Sequence, residues 1–224
     1  MSKPYYEAYD DRYRQVHGEN LQWASSCPTL IVRDVMARYG LTQTHKILEL
    51  GCGEGRDAAA LLTGGWDLLA TDISPEAIAY CTNKMPGFQS AFRVLDCVRG
   101  GLEACCDFIY AVAVVHMLVE ADDRDGFYGF IRNHLNPEGI GLICTMGDGT
   151  WEMCSNASEA FELRERTHQL TGKKLMIAGT SCRVVSFDAF REELERNGLA
   201  ILEDGITAAP PDFPEMMYAV VKVK

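Results

Sequence analysis

From residue 46 onward, short apolar runs alternate with segments whose apolar residues recur at helical spacing, the pattern of a sheet covered by helices. The runs at 46–50, 67–71 (closing on Asp72), 92–95 and 107–112 predict four successive strands. A fifth is expected at 140–146, after the Pro137-Glu138-Gly139 turn. Helices are predicted at 28–39, with Leu30, Ile31, Val35 and Met36 on one face, and at 56–62, 75–84 and 124–134. Ser74-Pro75-Glu76 opens the helix at 75, because a serine hydroxyl can accept from free amides and proline suits a first turn. Gly64-Gly65 closes the helix at 56–62. Ahead of this alternation, residues 4–17 set Tyr5, Tyr6, Tyr9 and Tyr13 among charged side chains and predict another helix.

Beyond residue 146 the rhythm breaks. Residues 147–182 mix Gly, Asp, Ser and Trp with one helical run, 157–170. A helix from Ser186 to Arg196 and strands at 199–203 and 217–223 then resume the pattern. Strands on both sides make 147–182 an insertion in a single domain, and insertions of that length are usually functional. The expected organisation is an N-terminal helical lid (1–45), a ligand-binding core (46–146), a substrate-facing insertion (147–182) and a C-terminal helix with strands (183–224).

Composition narrows the partners. The 224 residues are 47% apolar and 24% charged, enough for one buried core. Twenty-one basic against 32 acidic side chains give a net charge of −11, which repels phosphate backbones and anionic lipid. Neither nucleic acid nor a membrane is therefore an expected partner. No stretch approaches the ~18 apolar residues of a membrane helix, and the first residues lack the apolar core of a signal peptide. The nine cysteines are odd in number and never spaced C-x-x-C. They point to the reducing cytoplasm, to thiols used as small apolar residues, and to no metal site.

The chemistry concentrates after the first strand, in Glu49-Leu50-Gly51-Cys52-Gly53-Glu54-Gly55-Arg56. Alternate glycines let a backbone turn sharply and lie flat against a ligand, while the next helix aims free amides at the same place. A dinucleotide fingerprint, G-x-G-x-x-G, would need glycine where Arg56 stands, and Glu49 and Glu54 would repel a pyrophosphate. A cationic, phosphate-free ligand fits better. Asp72 ends the second strand about 20 residues further on, where a carboxylate can take both ribose hydroxyls. Asp96, followed by Cys97, ends the third strand on the same edge, beside an expected adenine amino group.

These residues resemble the class I S-adenosylmethionine-dependent methyltransferases. The (D/E)-x-G-x-G-x-G motif of that family reads here as Glu49 through Gly55, its ribose-binding acid as Asp72 and its adenine-proximal acid as Asp96. Residues 107–118 match its fourth-strand motif and 135–141 its late turn. Gly55-Arg56-Asp57 and the upstream tyrosines loosely resemble the small-molecule branch with tellurite-resistance and thiopurine methyltransferases. The resemblance implies an α/β, Rossmann-like, seven-stranded sheet, mostly parallel, with residues 217–223 as its antiparallel strand. It implies S-adenosylmethionine as cofactor, S-adenosylhomocysteine as product and a small-molecule methyl acceptor as partner, in a monomer or homodimer.

The expected cofactor-binding residues are Glu49, Gly51, Cys52, Gly53, Asp72, Ile73, Asp96, Cys97, Ala111 and Val112. His116 is the candidate general base, since imidazole titrates near neutral pH. Tyr6, Tyr13 and Trp23, with Tyr5 and Tyr9, are expected in an aromatic lid, and His168 with Asp148 at the substrate. Asp107 is expected to brace the glycine turn. Two rival functions share these features: a nicotinamide-dependent oxidoreductase, and a non-catalytic S-adenosylmethionine-binding protein.

Overall fold

The computed structural model describes residues 3–224; Met1 and Ser2, which open the expected lid, lie outside them. Six α-helices run α1 (Ala8–Gly18), α2 (Leu30–Arg38), α3 (Arg56–Thr63), α4 (Pro75–Lys84), α5 (Ala121–His134) and α6 (Phe187–Arg196). The strands are β1 (Lys46–Leu50), β2 (Asp67–Asp72), β3 (Phe92–Val94), β4 (Cys106–Val112), β5 (Leu135–Met146), β6 (Met153–Cys154), β7 (Leu163–Thr167), β8 (Lys174–Ala178), β9 (Arg183–Val184), β10 (Leu199–Ala209) and β11 (Phe213–Val223).

Seven of these form one sheet in the order β10-β11-β5-β4-β1-β2-β3. The pairs β1–β2, β1–β4, β2–β3 and β4–β5 are parallel. Strand β11 is antiparallel to both neighbours, β5 and β10, and is the one reversed strand. Register aligns Leu50 with Thr71 and with Ala111, and Asp72 with Val94. The carboxyl ends of four strands therefore meet along one edge, the edge where open α/β sheets bind ligands.

Period-two alternation sends neighbouring side chains into two cores, one on each face. Ile47, Phe108 and Leu142 pack with Val35, Ala58 and Leu61 of α2 and α3. Leu48, Ile109 and Ile143 pack with Phe127, Ile131 and Phe190 of α5 and α6. Ser74 caps α4 as expected, its Oγ accepting from Ala77 N at 3.0 Å while donating to Asp10 Oδ1 at 2.7 Å. Among the described residues no helix is long and apolar enough to cross a membrane.

Several expectations need correction. Residues 157–170 are not a helix. A 3-10 turn, Ala157–Glu159, leads into an antiparallel hairpin of β7 and β8. Its inner face, Leu175 and Ile177, packs on Val16 of α1, and this tertiary contact overrides the helical propensity of the Glu-, Leu- and Arg-rich segment. Strand β5 begins at Leu135 rather than 140, pairing Leu135 with Cys106 through an irregular register. Helix α5 starts three residues early, and β10 and β11 extend to Ala209 and back to Phe213. Leu30 is 71% exposed; Val32 takes its place against the sheet.

A buried ionic cluster ties α5 to α6 beneath the loop after β4. Arg124 Nε donates to Glu193 Oε1 at 2.9 Å, and Nη1 donates to the carbonyls of Val115 (2.7 Å) and Leu118 (3.2 Å). Tyr128 donates to Glu193 Oε2 at 2.9 Å. Removing one partner strands the other charge in a low-dielectric interior. Glu193→Ala is expected to lower unfolding free energy by about 3–5 kcal/mol, read from the shift of the urea midpoint. A loss under about 1 kcal/mol, the range of an exposed pair, would contradict this reading.

Candidate functional site

The turn from β1 to α3 is built on left-handed backbone. Gly51, Gly53 and Gly55 have φ of +71°, +52° and +76°. A β-carbon at Gly51 would meet Val114 Cγ2 at 2.4 Å, and one at Gly53 would meet Tyr13 Oη at 2.7 Å. Only glycine suits such positions without strain. The turn is pinned to β2 from both sides: Cys52 N donates to Thr71 O at 2.8 Å, and Gly53 N donates to Asp72 Oδ2 at 2.8 Å. Asp72 Oδ1 accepts from Ser74 N at 2.9 Å. Burial raises the Asp72 pKa, against the pull of these two amides.

Two cavities open at this edge. The first encloses about 590 Å³ and takes Tyr6, Asp72, Ile73, Asp96 and Cys97 into its wall. The second, about 1740 Å³ and open to solvent, takes Trp23, Glu49, Cys52, Gly53, Val112 and His116. Tyr9, Tyr13, Gly51 and Met117 line both. Sequence-predicted residues thus converge here from β1, β2, the loops after β3 and β4, and the N-terminal segment.

Four do not. Ala111 lies within β4 in the core against α5, and Ala113 lines the second cavity instead. His168 is buried outside both cavities: its Nε2 donates to Gln22 O at 2.6 Å and its Nδ1 lies 2.8 Å from Thr171 Oγ1, so it fastens the β7–β8 turn. Asp148 closes its own turn, accepting from Thr150 N (2.8 Å) and Trp151 N (2.9 Å). Asp107 sits at the opposite end of the sheet, accepting from Lys46 N at 2.8 Å and Asn136 Nδ2 at 2.6 Å. It braces the start of β1, since a residue that opens a parallel strand lies far from the end of its neighbour.

Asp96 is oriented by three donors: Val98 N (2.8 Å) and Arg99 N (3.2 Å) on Oδ1, and the Tyr6 hydroxyl (3.2 Å) on Oδ2. Burial pushes the neighbouring Cys97 thiol up to about 12, so it stays protonated. Glu49 is buried, and burial with the nearby Asp57 raises its pKa well above the usual range. Its Oε2 has no hydrogen-bond partner, and neither has the hydroxyl of Tyr110, its register neighbour on β4. His116 is also buried. Desolvation, then Arg124 and Arg12, brings its pKa down to about 4, and its Nδ1 has no partner.

Three features of the site carried no signal in the sequence reading. Glu54, read there only as an acid that would repel phosphate, accepts from Trp23 N and Ala24 N (both 2.7 Å) and so holds the aromatic segment over the turn. Arg12 lies one helical turn after Tyr9 on α1, a spacing that could have flagged it. Arg166 belongs to the segment misread as a helix and Thr180 follows the hairpin, and only the fold brings them to the cavity.

The site is thus a glycine turn flanked by acids at the carboxyl edge of a seven-stranded sheet, with Asp72 closing β2 and Asp96 in the loop after β3. Residues 47–139 match the family model described as a methyltransferase domain. The chain is 30% identical over 126 residues to hemagglutinin 1 of Eikenella corrodens, a match covering 50% of this chain and 42% of that protein. It is 26% identical over 117 residues to the probable S-adenosyl-L-methionine-dependent methyltransferase TehB of Haemophilus influenzae, covering 51% and 41%. The matches thus span less than half of these relatives. A solved S-adenosylmethionine-dependent methyltransferase from Clostridium acetobutylicum superposes with a TM-score of 0.67, 15% identity and coverage of 97% and 98%, a likeness of fold. The match to a methyltransferase domain covers residues 47–139, and the fold is that of solved S-adenosylmethionine-dependent methyltransferases.

His17 on α1 clamps the site from outside, its Nε2 2.9 Å from Glu54 Oε1 and its Nδ1 2.8 Å from Glu76 Oε1. Burial lowers the His17 pKa, but the bonds to Glu54 and Glu76 outweigh it and the net shift is upward. The clamp's contribution is therefore complete below the unfolded value of about 6.5 and fades as pH rises through the folded one. His17→Gln is expected to lower the urea midpoint more at about pH 6 than at about pH 9. An equal loss at both would show that protonation plays no part.

Proposed function

We propose that this chain binds S-adenosylmethionine across the two cavities and transfers its methyl group to a small-molecule acceptor in the second. One observation carries the reading: a buried carboxylate oxygen, Glu49 Oε2, without a partner at the wall beside the glycine turn. An orphaned buried acceptor of that kind suits an ammonium group and opposes a pyrophosphate. When bound, the cofactor supplies an electrophilic methyl carbon on a sulfonium.

The chain's own residues do the rest. Asp72, already oriented by two amides, has lone pairs left for a ribose diol, and Asp96 lies deeper in the same cavity for adenine. Tyr9, Tyr13, Trp23 and Phe213 wall the second cavity with aromatic faces that exclude water and favour cationic charge. An acceptor held in the second cavity would take that methyl group on its nucleophile, with S-adenosylhomocysteine as the other product. Any proton on that nucleophile passes to His116, which is neutral at pH 7, or to solvent. With so low a pKa, His116 is a weak base, so most of the acceleration comes from alignment of the two reactants. The nine free cysteines support a reducing, cytoplasmic setting.

Asp72→Ala is expected to weaken S-adenosylmethionine binding at least ~10-fold, in line with loss of a charge-assisted hydrogen bond. Asp96→Asn, which keeps one accepting oxygen, should weaken it less, by about 2–5-fold, and guards against a folding defect in the first variant. Both are measured by tryptophan fluorescence titration. His116→Ala is expected to reduce turnover about tenfold for a hydroxyl or amine acceptor while leaving cofactor affinity unchanged. Unaltered binding in both Asp variants would overturn the assignment.

A further inference from the structure

The polar groups of the second cavity fall into two sets. Near the glycine turn, every acid except Glu49 is already engaged. Glu54 holds His17 and two amides, Asp57 accepts from Thr29 N and Oγ1, and Asp212 pairs with Arg56 Nη1 at 3.1 Å. The wall that α1 and the β7–β8 hairpin supply carries Arg12 and Arg166, and among the described residues neither guanidinium is paired with a carboxylate. A chain of net charge −11 has thus left two positive groups unpaired in the lining of this cavity.

Arg12 is only 8% exposed, which makes the missing counter-charge costly. Its guanidinium is fixed on one edge alone. Nε donates to Ala178 O at 3.2 Å, and Nη2 donates to Gly179 O at 2.9 Å and to Thr180 Oγ1 at 2.6 Å. Nη1 makes no hydrogen bond among the described residues. Tyr9 and Trp23 stack near the cation at 5.1 and 4.9 Å from their ring centres, which holds its plane without neutralising it. Thr180 adopts a left-handed φ of +59°, a conformation costly for a β-branched residue and found where strain serves a site. The next residue, Ser181, donates from Oγ to Met117 O at 2.5 Å and so ties this wall to the loop that carries His116.

We propose that the open edge of Arg12, together with Arg166, binds a carboxylate on the methyl acceptor, so that the substrates of this enzyme are small organic acids. With Nε and Nη2 engaged, Nη1 offers a charge-assisted hydrogen bond to a carboxylate oxygen, and Arg166 lines the same cavity to share the charge. Anchored there, the acid presents its nucleophile across the cavity toward His116 and the glycine turn. The inference rests on the methyltransferase reading above and extends it to the acceptor.

The test uses matched acid and amide probes with three nucleophiles: 4-hydroxybenzoate and 4-hydroxybenzamide, 3-mercaptopropionate and 3-mercaptopropionamide, glycine and glycinamide. Binding to the full chain saturated with S-adenosylhomocysteine is followed by calorimetry, and methyl transfer by release of that product from S-adenosylmethionine. At least one acid is expected to bind about tenfold or more tightly than its amide. Arg166→Gln and Arg12→Lys should each erase most of that preference while leaving S-adenosylhomocysteine affinity within about twofold. Arg166 is exposed on β7, so its variant keeps the test decisive if Arg12→Lys misfolds. Failure of S-adenosylhomocysteine to bind would sink the methyltransferase reading itself. Cofactor binding with no acid preference, including no response to either series, would overturn the carboxylate site alone.

Discussion

The structure turns on a single constraint: the chain must reverse between β1 and α3 without side chains in the way. Three left-handed glycines meet it, and the space a β-carbon would need is filled by Val114 at one and by Tyr13 at the next. The hydrogen bond from Gly53 N to Asp72 locks that turn to the end of β2. One carboxylate therefore both fixes the loop and faces the ligand. The parallel register does the rest, since it brings the ends of β1, β2, β3 and β4 to one level.

Apart from Glu49, the acids around this turn are engaged by partners, whereas Arg12 and Arg166 in the lining of the same cavity have no carboxylate partner among the described residues. Acids near the turn are satisfied by backbone amides, by His17 or by Arg56, which leaves Glu49 as the unpartnered acceptor. Helix α1 supplies both the lock and part of the cavity wall: Asp10 bonds Ser74, His17 bonds Glu54, and Arg12 faces the cavity. A domain that is acidic overall thus lines one cleft with both an unpartnered acid, Glu49, and two arginines without a carboxylate partner, Arg12 and Arg166. This arrangement suits a cationic cofactor and an anionic reaction partner held in the same cleft.

The central sheet and cofactor edge were legible in the sequence because several independent signals agree there. Apolar runs such as 46–50 and 107–112 are buried on both faces, and glycines, strand-end acids and the Ser74 cap fall between them at fixed offsets. The acceptor side was not legible. The segment 157–170 contains good helix formers, yet becomes an edge hairpin because β8 can bury Leu175 and Ile177 against Val16. Misreading that segment hid Arg166 and placed His168 at the substrate, although His168 fastens the turn to Gln22. Of the two β4 residues expected at the cofactor, Ala111 packs into the core while Val112 lines the cavity, joined by Ala113, which follows the strand with a left-handed φ. Burial also changes His116 in a way no spacing reveals, by lowering its basicity.

The most direct test of the account is a calorimetric comparison of S-adenosylhomocysteine and NAD titrated into the unmodified chain under the same conditions. An acid-flanked glycine turn with an orphaned carboxylate predicts saturable heat with the nucleoside and none with the pyrophosphate-bearing dinucleotide. Saturable heat with NAD alone would contradict it.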